Sequence, residues 1–125
     1  MPAEHFRLER ELSDHEGATL IVASGDIDMT ASREFGRRLE AALRSSSGHV
    51  VLDLVEVVHL DSTALRSLVN CRKLAEERGG RLVLVCAPRP VGEVLDVTGV
   101  AELFEIHPDR ESALGAIGRQ GEPKR

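Results

Sequence analysis

Tryptophan and tyrosine are absent from this 125-residue chain, and its aromatic rings other than histidine are Phe6, Phe35 and Phe104. Stacking platforms for single-stranded nucleic acid are therefore missing. A basic face is missing too. The formal charge is −5, the wrong sign for a general binder of phosphate backbones, so no nucleic acid is expected as a ligand. No run approaches the roughly 18 consecutive apolar residues that span a bilayer, and no membrane partner is expected. Met1 to Gly17 is charged almost throughout and holds no apolar stretch of the signal-peptide kind, so the expected location is cytoplasmic. Cysteine is scarce. Cys71 and Cys86 sit in apolar stretches and form no C-x-x-C pair, which argues for two buried thiols in a reducing compartment rather than a disulfide or zinc framework. His5, His15, His49 and His107 are scattered without metal-ligand spacing, and neither a metal nor another cofactor is expected.

What is present is an ordinary soluble balance, with 42 % apolar and 30 % charged residues in a length that suits one domain. Phe6 and Leu8 alternate with Arg7 and Glu9 as a half-buried edge strand would. Asp14-His15-Glu16-Gly17 is turn-like, and the apolar run Ala18 to Ala23 completes an antiparallel pair. After Gly25 the period changes: Phe35, Leu39, Ala42 and Leu43 share one helix face, which Ser45-Ser46-Ser47-Gly48 ends. Val50 to Leu54 predicts a strand. A helix follows from Asp61, with Leu65, Leu68 and Val69 inward and Gly79-Gly80 closing it. Leu82 to Val85 predicts another buried strand. Pro90 suits a helix start, with Val91, Val94, Leu95 and Thr98 on one face before Gly99. Leu103 to Ile106 predicts a last short strand, and Asp109 can cap a helix through Ile117. Strands alternating with helices imply an α/β domain: a mostly parallel sheet, an antiparallel N-terminal edge strand and about four helices. The domain is expected over 1–118, with 119–125 a flexible tail.

Ligand sites in open α/β sheets gather beyond the carboxyl ends of the strands. Two loops there draw attention: Gly25-Asp26-Ile27-Asp28, and His59-Leu60-Asp61-Ser62-Thr63 at the start of a helix. One helical crossover joins their strands, which would put Asp26, Asp28, Asp61 and Ser62 on one rim. If Asp61 caps the helix, Ser62 lies in its first turn, where negative charge is tolerated. Asp61-Ser62-Thr63 is equally a plain capping sequence, and Asp26 and Asp28 are equally plain turn acids. Asp28 is expected in a surface loop, where replacement by alanine changes stability by less than about 0.5 kcal/mol.

Three segments together resemble the STAS-domain anti-sigma factor antagonists of bacteria. Val50-Val51-Leu52-Asp53-Leu54 followed by Val57-Val58-His59-Leu60-Asp61-Ser62-Thr63-Ala64-Leu65 is similar to the family's apolar strand, hydrophobic link and Asp-Ser-(Ser/Thr)-Gly-Leu signature. Gly25-Asp26-Ile27-Asp28 resembles its Gly-(Asp/Glu)-(Ile/Leu)-Asp loop. Val94 to Val100, with Leu103-Phe104, resembles its C-terminal helix and strand. The resemblance implies a STAS-like fold from about Phe6 to Ile117 and a protein that works by binding, not as an enzyme. It implies that the unmodified chain binds an anti-sigma factor that is also a serine kinase, so that the sigma factor is released. Phosphorylation of Ser62 would end that binding, and a serine phosphatase would restore it. Asp28 is implied as a partner contact, with Asp26, Asp61, Thr63 and Ala64 around it. Ala64 departs from the family's usual glycine. Its Cβ is expected beside the acceptor, in the path of a kinase, which favours an alternative: a STAS interaction module without phosphoryl control, as a scaffold or divergent antagonist.

Enzymatic alternatives fit less well. A receiver-like phosphoaspartate at Asp53 would need an acidic pair after the first strand and a late lysine, but no lysine lies between Lys73 and Lys124. Ser62 lacks the G-x-S-x-G frame of a hydrolase nucleophile, and His59 between Val58 and Leu60 suggests packing or exposure rather than a base.

Overall fold

Successive side chains in a strand point to opposite faces, so a continuous apolar run implies a sheet covered on both sides. The computed structural model, which describes residues 6–11, 17–46 and 48–120, has that arrangement. The elements are β1 Phe6–Glu11, β2 Ala18–Ile27, α1 Ser32–Arg44, β3 His49–Leu60, α2 Ser62–Glu77, β4 Leu82–Val85, α3 Glu93–Val97, β5 Ile106–His107 and α4 Arg110–Gln120. The five strands form one sheet in the order β1-β2-β3-β4-β5. β1 is antiparallel to β2, and the other neighbours are parallel. The expected mixed sheet, its antiparallel N-terminal edge and four helices are all present.

Ile21, Val50, Leu52, Leu82 and Leu84 face the larger core, where Phe35, Leu39 and Leu43 of α1, Leu65 and Leu68 of α2 and Leu95 of α3 cover them. Leu20, Val51, Val83 and Val85 face the other way, against Ala113 and Ile117 of α4. Each fully buried leucine or isoleucine contributes about 1.5–3 kcal/mol relative to its exposed state, so both faces are held by apolar burial. Phe6 packs edge-on against Phe35 with ring centroids 5.9 Å apart. Arg38 lies 5.3 Å over the Phe6 ring and donates to the Leu8 carbonyl at 3.2 Å, fastening β1 to α1. Gly80 has to be glycine: a Cβ there would stand 1.9 Å from the Gly48 carbonyl oxygen.

Several boundaries differ from expectation. β2 and β3 run on through Gly25–Ile27 and Val55–Leu60, so most of the two presumed loops is strand. Their pairing with each other (Gly25 with Val57, Asp26 with His59, Ile27 with Leu60) carries the ladder past the apolar runs, with irregularities at Val22/Ser24 and Gly25/Asp26 absorbing the extra β3 residues. Pro90 does not begin a regular helix. Arg89 before it is extended (φ −140°, ψ 147°), as a residue preceding proline prefers, and the helix starts at Glu93. Val100–Leu103 forms a single 3₁₀ turn, leaving only Ile106 and His107 to pair with Leu84 and Val85. Asp109 does cap α4, accepting from the Ser112 N–H at 2.8 Å. That helix continues past Ile117 to Gln120. The turn at Asp14–Glu16, Ser47, His5, His15 and 121–125 lie outside the described residues.

Candidate functional site

The site follows from one register. Ile27 pairs with Leu60, so the next residues, Asp28 and Asp61, leave neighbouring strands side by side. The Asp61 N–H donates to the Ile27 carbonyl at 3.2 Å and ties the two exits together. Asp61 is extended (φ −89°, ψ 178°), and its Oδ1 accepts the Ala64 N–H at 2.9 Å, the N-cap of α2. Such a cap is worth about 1 kcal/mol. Ser62 is then the first helical residue, and both it and Thr63 are exposed. Ala64 is buried completely in the larger core. Its methyl group does not stand on the surface beside Ser62, contrary to the expectation that it blocks a kinase or touches a partner. The reason is the helical turn: the cap turns Ala64 inward as it leaves Ser62 outside.

Asp28 is more than a loop acid. Its Oδ1 accepts from the Thr30 N–H at 2.9 Å, the Thr30 hydroxyl at 2.7 Å and the Ala31 N–H at 3.2 Å. Its carbonyl accepts from Ala31 and Ser32 at 3.0 and 2.9 Å. Ala31, at the N-cap position of α1, has no side-chain cap of its own, so Asp28 supplies the missing acceptors. Asp26 faces His59 across the ladder, Oδ1 to Nδ1 at 3.2 Å, with both side chains about half exposed. Nothing in local spacing signals this pair, which depends on the β2–β3 register. Two exposed apolar side chains flank the rim, Met29 (82 % exposed) beside Asp28 and Val58 (61 %) beside His59. A binding surface needs such desolvable area next to its polar groups; Met29 lies just past the Gly25–Asp28 motif, and Val58 lies within the signature with nothing in the spacing to show that it is exposed.

Thr63 faces a groove of about 200 Å³ between α1 and α2, whose other side carries Arg33 and Arg37. The helices touch closely here, since a Cβ on Gly36 would stand 2.4 Å from the Ser67 hydroxyl. The candidate nucleophiles of other chemistries are occupied or inert. Asp53 is 5 % exposed, accepts the Val55 N–H at 2.9 Å and is bound by the Arg110 guanidinium. That hydrogen bond holds Arg110 above its ordinary pKa. Burial pushes the Cys71 thiol up to about 11 and raises Cys86 as well, so both stay protonated near neutral pH. Among the described residues, no group of three His, Cys, Asp or Glu side chains could hold a metal ion, and no helix is long and apolar enough to cross a membrane.

A sheet of this order with an exposed serine at the head of the helix after its central strand defines a class. The STAS domain model matches residues 9–113, and the chain belongs to that family. It is similar to an anti-sigma F factor antagonist of Paenibacillus polymyxa, 27 % identical over 110 residues that cover 87 % of this chain and 94 % of the relative. Among solved structures it resembles an anti-sigma factor antagonist from Mycobacterium paratuberculosis, with a TM-score of 0.78 and 25 % identity over 90 % of this chain and 94 % of the other. It also shares its fold with the Bacillus cell fate determinant SpoIIAA in its phosphorylated form, with a TM-score of 0.64 and 14 % identity over 89 % and 99 %.

Proposed function

We propose that this protein is an anti-sigma factor antagonist, whose partner is an anti-sigma factor with serine kinase activity. The observation that carries the reading is the exposed Ser62 at the first position of α2, beside an Asp61 whose carboxylate is already engaged by Ala64. Among the described residues, none is hydrogen-bonded to the Ser62 hydroxyl as a base that would make it a nucleophile of the protein's own. In the unmodified state the rim of Asp26, Asp28, Asp61 and Thr63, with Met29 and Val58, meets the partner, and the sigma factor is set free. The kinase then transfers the γ-phosphoryl group of ATP: a bond forms between Ser62 Oγ and phosphorus, the bond to the β-phosphate breaks, ADP leaves, and the serine proton passes to a base on the kinase. A serine phosphatase reverses the modification with water. Family membership supports this reading, as do the names of the relatives, and the work is cytoplasmic. The alternative of a module without phosphoryl control rested on the Ala64 methyl group, which is buried.

The test is intact-mass analysis of the full chain after incubation with ATP and each anti-sigma kinase of the host. One added phosphate, lost in Ser62→Ala, is the expected result. A kinase that binds the chain stably yet adds no phosphate would favour the unregulated module.

A further inference from the structure

Every arginine whose side chain is described, except Arg33 and Arg66, meets an acidic group or an oxygen acceptor. These two lie in the opening turns of α1 and α2, on either side of Ser62 and Thr63. Arg33 lines the groove that Thr63 faces. Arg66 is exposed on α2, and the residues three and four positions away are Ser62, Thr63, Val69 and Asn70. None is acidic, so its own helix offers Arg66 no counter-ion until Ser62 carries one. Side chains on a helix lean toward its N-terminus, and residues four apart stand about 5–6 Å apart at Cβ. That geometry puts Ser62 and Thr63 within reach of the Arg66 side chain.

We propose that Arg66 is a positioning residue for the phosphate on Ser62: its guanidinium takes up the modified side chain and holds it along α2. This rests on Ser62 being the modified residue. A phosphoserine brings about −1.5 to −2 charges and three acceptor oxygens, which a guanidinium meets with two parallel N–H donors. The other charged groups around the position are Asp61 on the cap, Asp28 and the Asp26–His59 pair at the strand ends, and, across the groove, Arg33 together with Arg37 and Glu40, which are engaged by Glu34 and Arg44. The acids repel the phosphate from the sheet side, and Arg66 draws it along the helix. The modified protein thus keeps a folded α2 and presents a fixed anion on the rim in place of a neutral hydroxyl.

The experiment installs phosphoserine at position 62 of the full chain during translation, so no kinase is needed, and follows its phosphorus NMR signal through a pH titration. A nearby cation favours the dianion and lowers the second phosphate pKa. Arg66→Gln is expected to raise it by about 0.3 units, the size of a helical pair four residues apart. Arg66→Lys should keep most of the effect. Arg72→Gln should not move the titration, because Arg72 pairs with Glu76. An unchanged titration in Arg66→Gln, or a larger change in Arg33→Gln, overturns the proposal. Either result would leave the kinase reaction at Ser62 standing, and absence of that reaction would not alter this titration.

Discussion

The Asp61 carboxylate holds the Ala64 N–H at 2.9 Å, and this bond sorts the first turn of α2 into an exposed Ser62 and a buried Ala64. Asp61→Ala removes the acceptor and should cost about 1 kcal/mol, or about 4 °C in melting temperature for a domain of this size. Asp61→Asn, which can also cap, should recover most of the loss. Thermal unfolding of the three proteins decides it. An alanine variant that melts with the parent would mean the cap contributes nothing.

Asp28→Ala should destabilise by about 1–2 kcal/mol, more than a surface-loop acid would. Three accepted bonds are lost, and the entry to α1 has no other side-chain cap. Urea midpoints measure the change, and Asp28→Asn should lie between the two. Partner binding by the folded alanine variant then reports contact separately from stability. A midpoint equal to the parent's would return Asp28 to the role of a plain surface acid.

Ala64→Gly should lower stability and leave the rate of Ser62 phosphorylation unchanged. The buried methyl group is worth about 0.8 kcal/mol and helix propensity about another 1 kcal/mol. Because the methyl faces the core, its removal opens no path to Ser62. Initial phosphorylation rates well below the melting temperature are the measurement, and a several-fold faster glycine variant would contradict the geometry.

These three residues mark how far the sequence was legible. Apolar runs located β2, β3 and β4, and the period located the buried face of α1, because burial sets both patterns: Phe35, Leu39 and Leu43 are all fully buried. Elsewhere the match is partial: Val69, expected inward on α2, is only half-buried and outside the core, Thr98 is exposed, and the expected strand Leu103 to Ile106 shares only Ile106 with β5. The signature around Ser62 marked the rim. Strand ends were not legible beyond Ala23 and Leu54, since the continuation is held by backbone pairing between β2 and β3, which leaves no apolar trace. The Asp26–His59 pair and the Asp53–Arg110 ion pair are long-range consequences of that register and of α4 packing. Neither shows in local spacing. The inward turn of Ala64 follows from the cap geometry at Asp61, which the motif alone does not carry.

Glu105 makes stability depend on acid. Its hydrogen bond to His107 chiefly, and the Arg81 guanidinium next, hold its carboxyl below the ordinary value of 4.5. A carboxylate with a depressed folded pKa contributes stability that is present above the unfolded pKa and lost as pH falls through the folded one. Glu105→Gln should therefore melt below the parent at pH 7, with the gap closing in acid, below about pH 4.5. A gap that stayed constant down to pH 3 would show that packing, not charge, is lost in the variant.

Modification of Ser62 should change partner affinity far more than it changes the fold. Within the domain, the phosphate meets repulsion from Asp26, Asp28 and Asp61, while Arg66 and the N–H groups at the head of α2 oppose that repulsion. The terms offset one another at an exposed position, where screening is strong, so the melting temperature should move by no more than a few degrees. At the partner surface the balance differs. The phosphate has to lose water against groups that received a neutral hydroxyl beside carboxylates, and a net loss of about 2–3 kcal/mol weakens binding roughly 30- to 150-fold. Ser62→Asp carries less charge and should reproduce part of that loss. Ser62→Ala should bind as the unmodified protein does and resist the kinase. Melting curves and partner titrations on the four forms separate the two effects. A large fall in melting temperature with unchanged affinity would mean that the switch works by loosening α2, and that the electrostatic account is wrong.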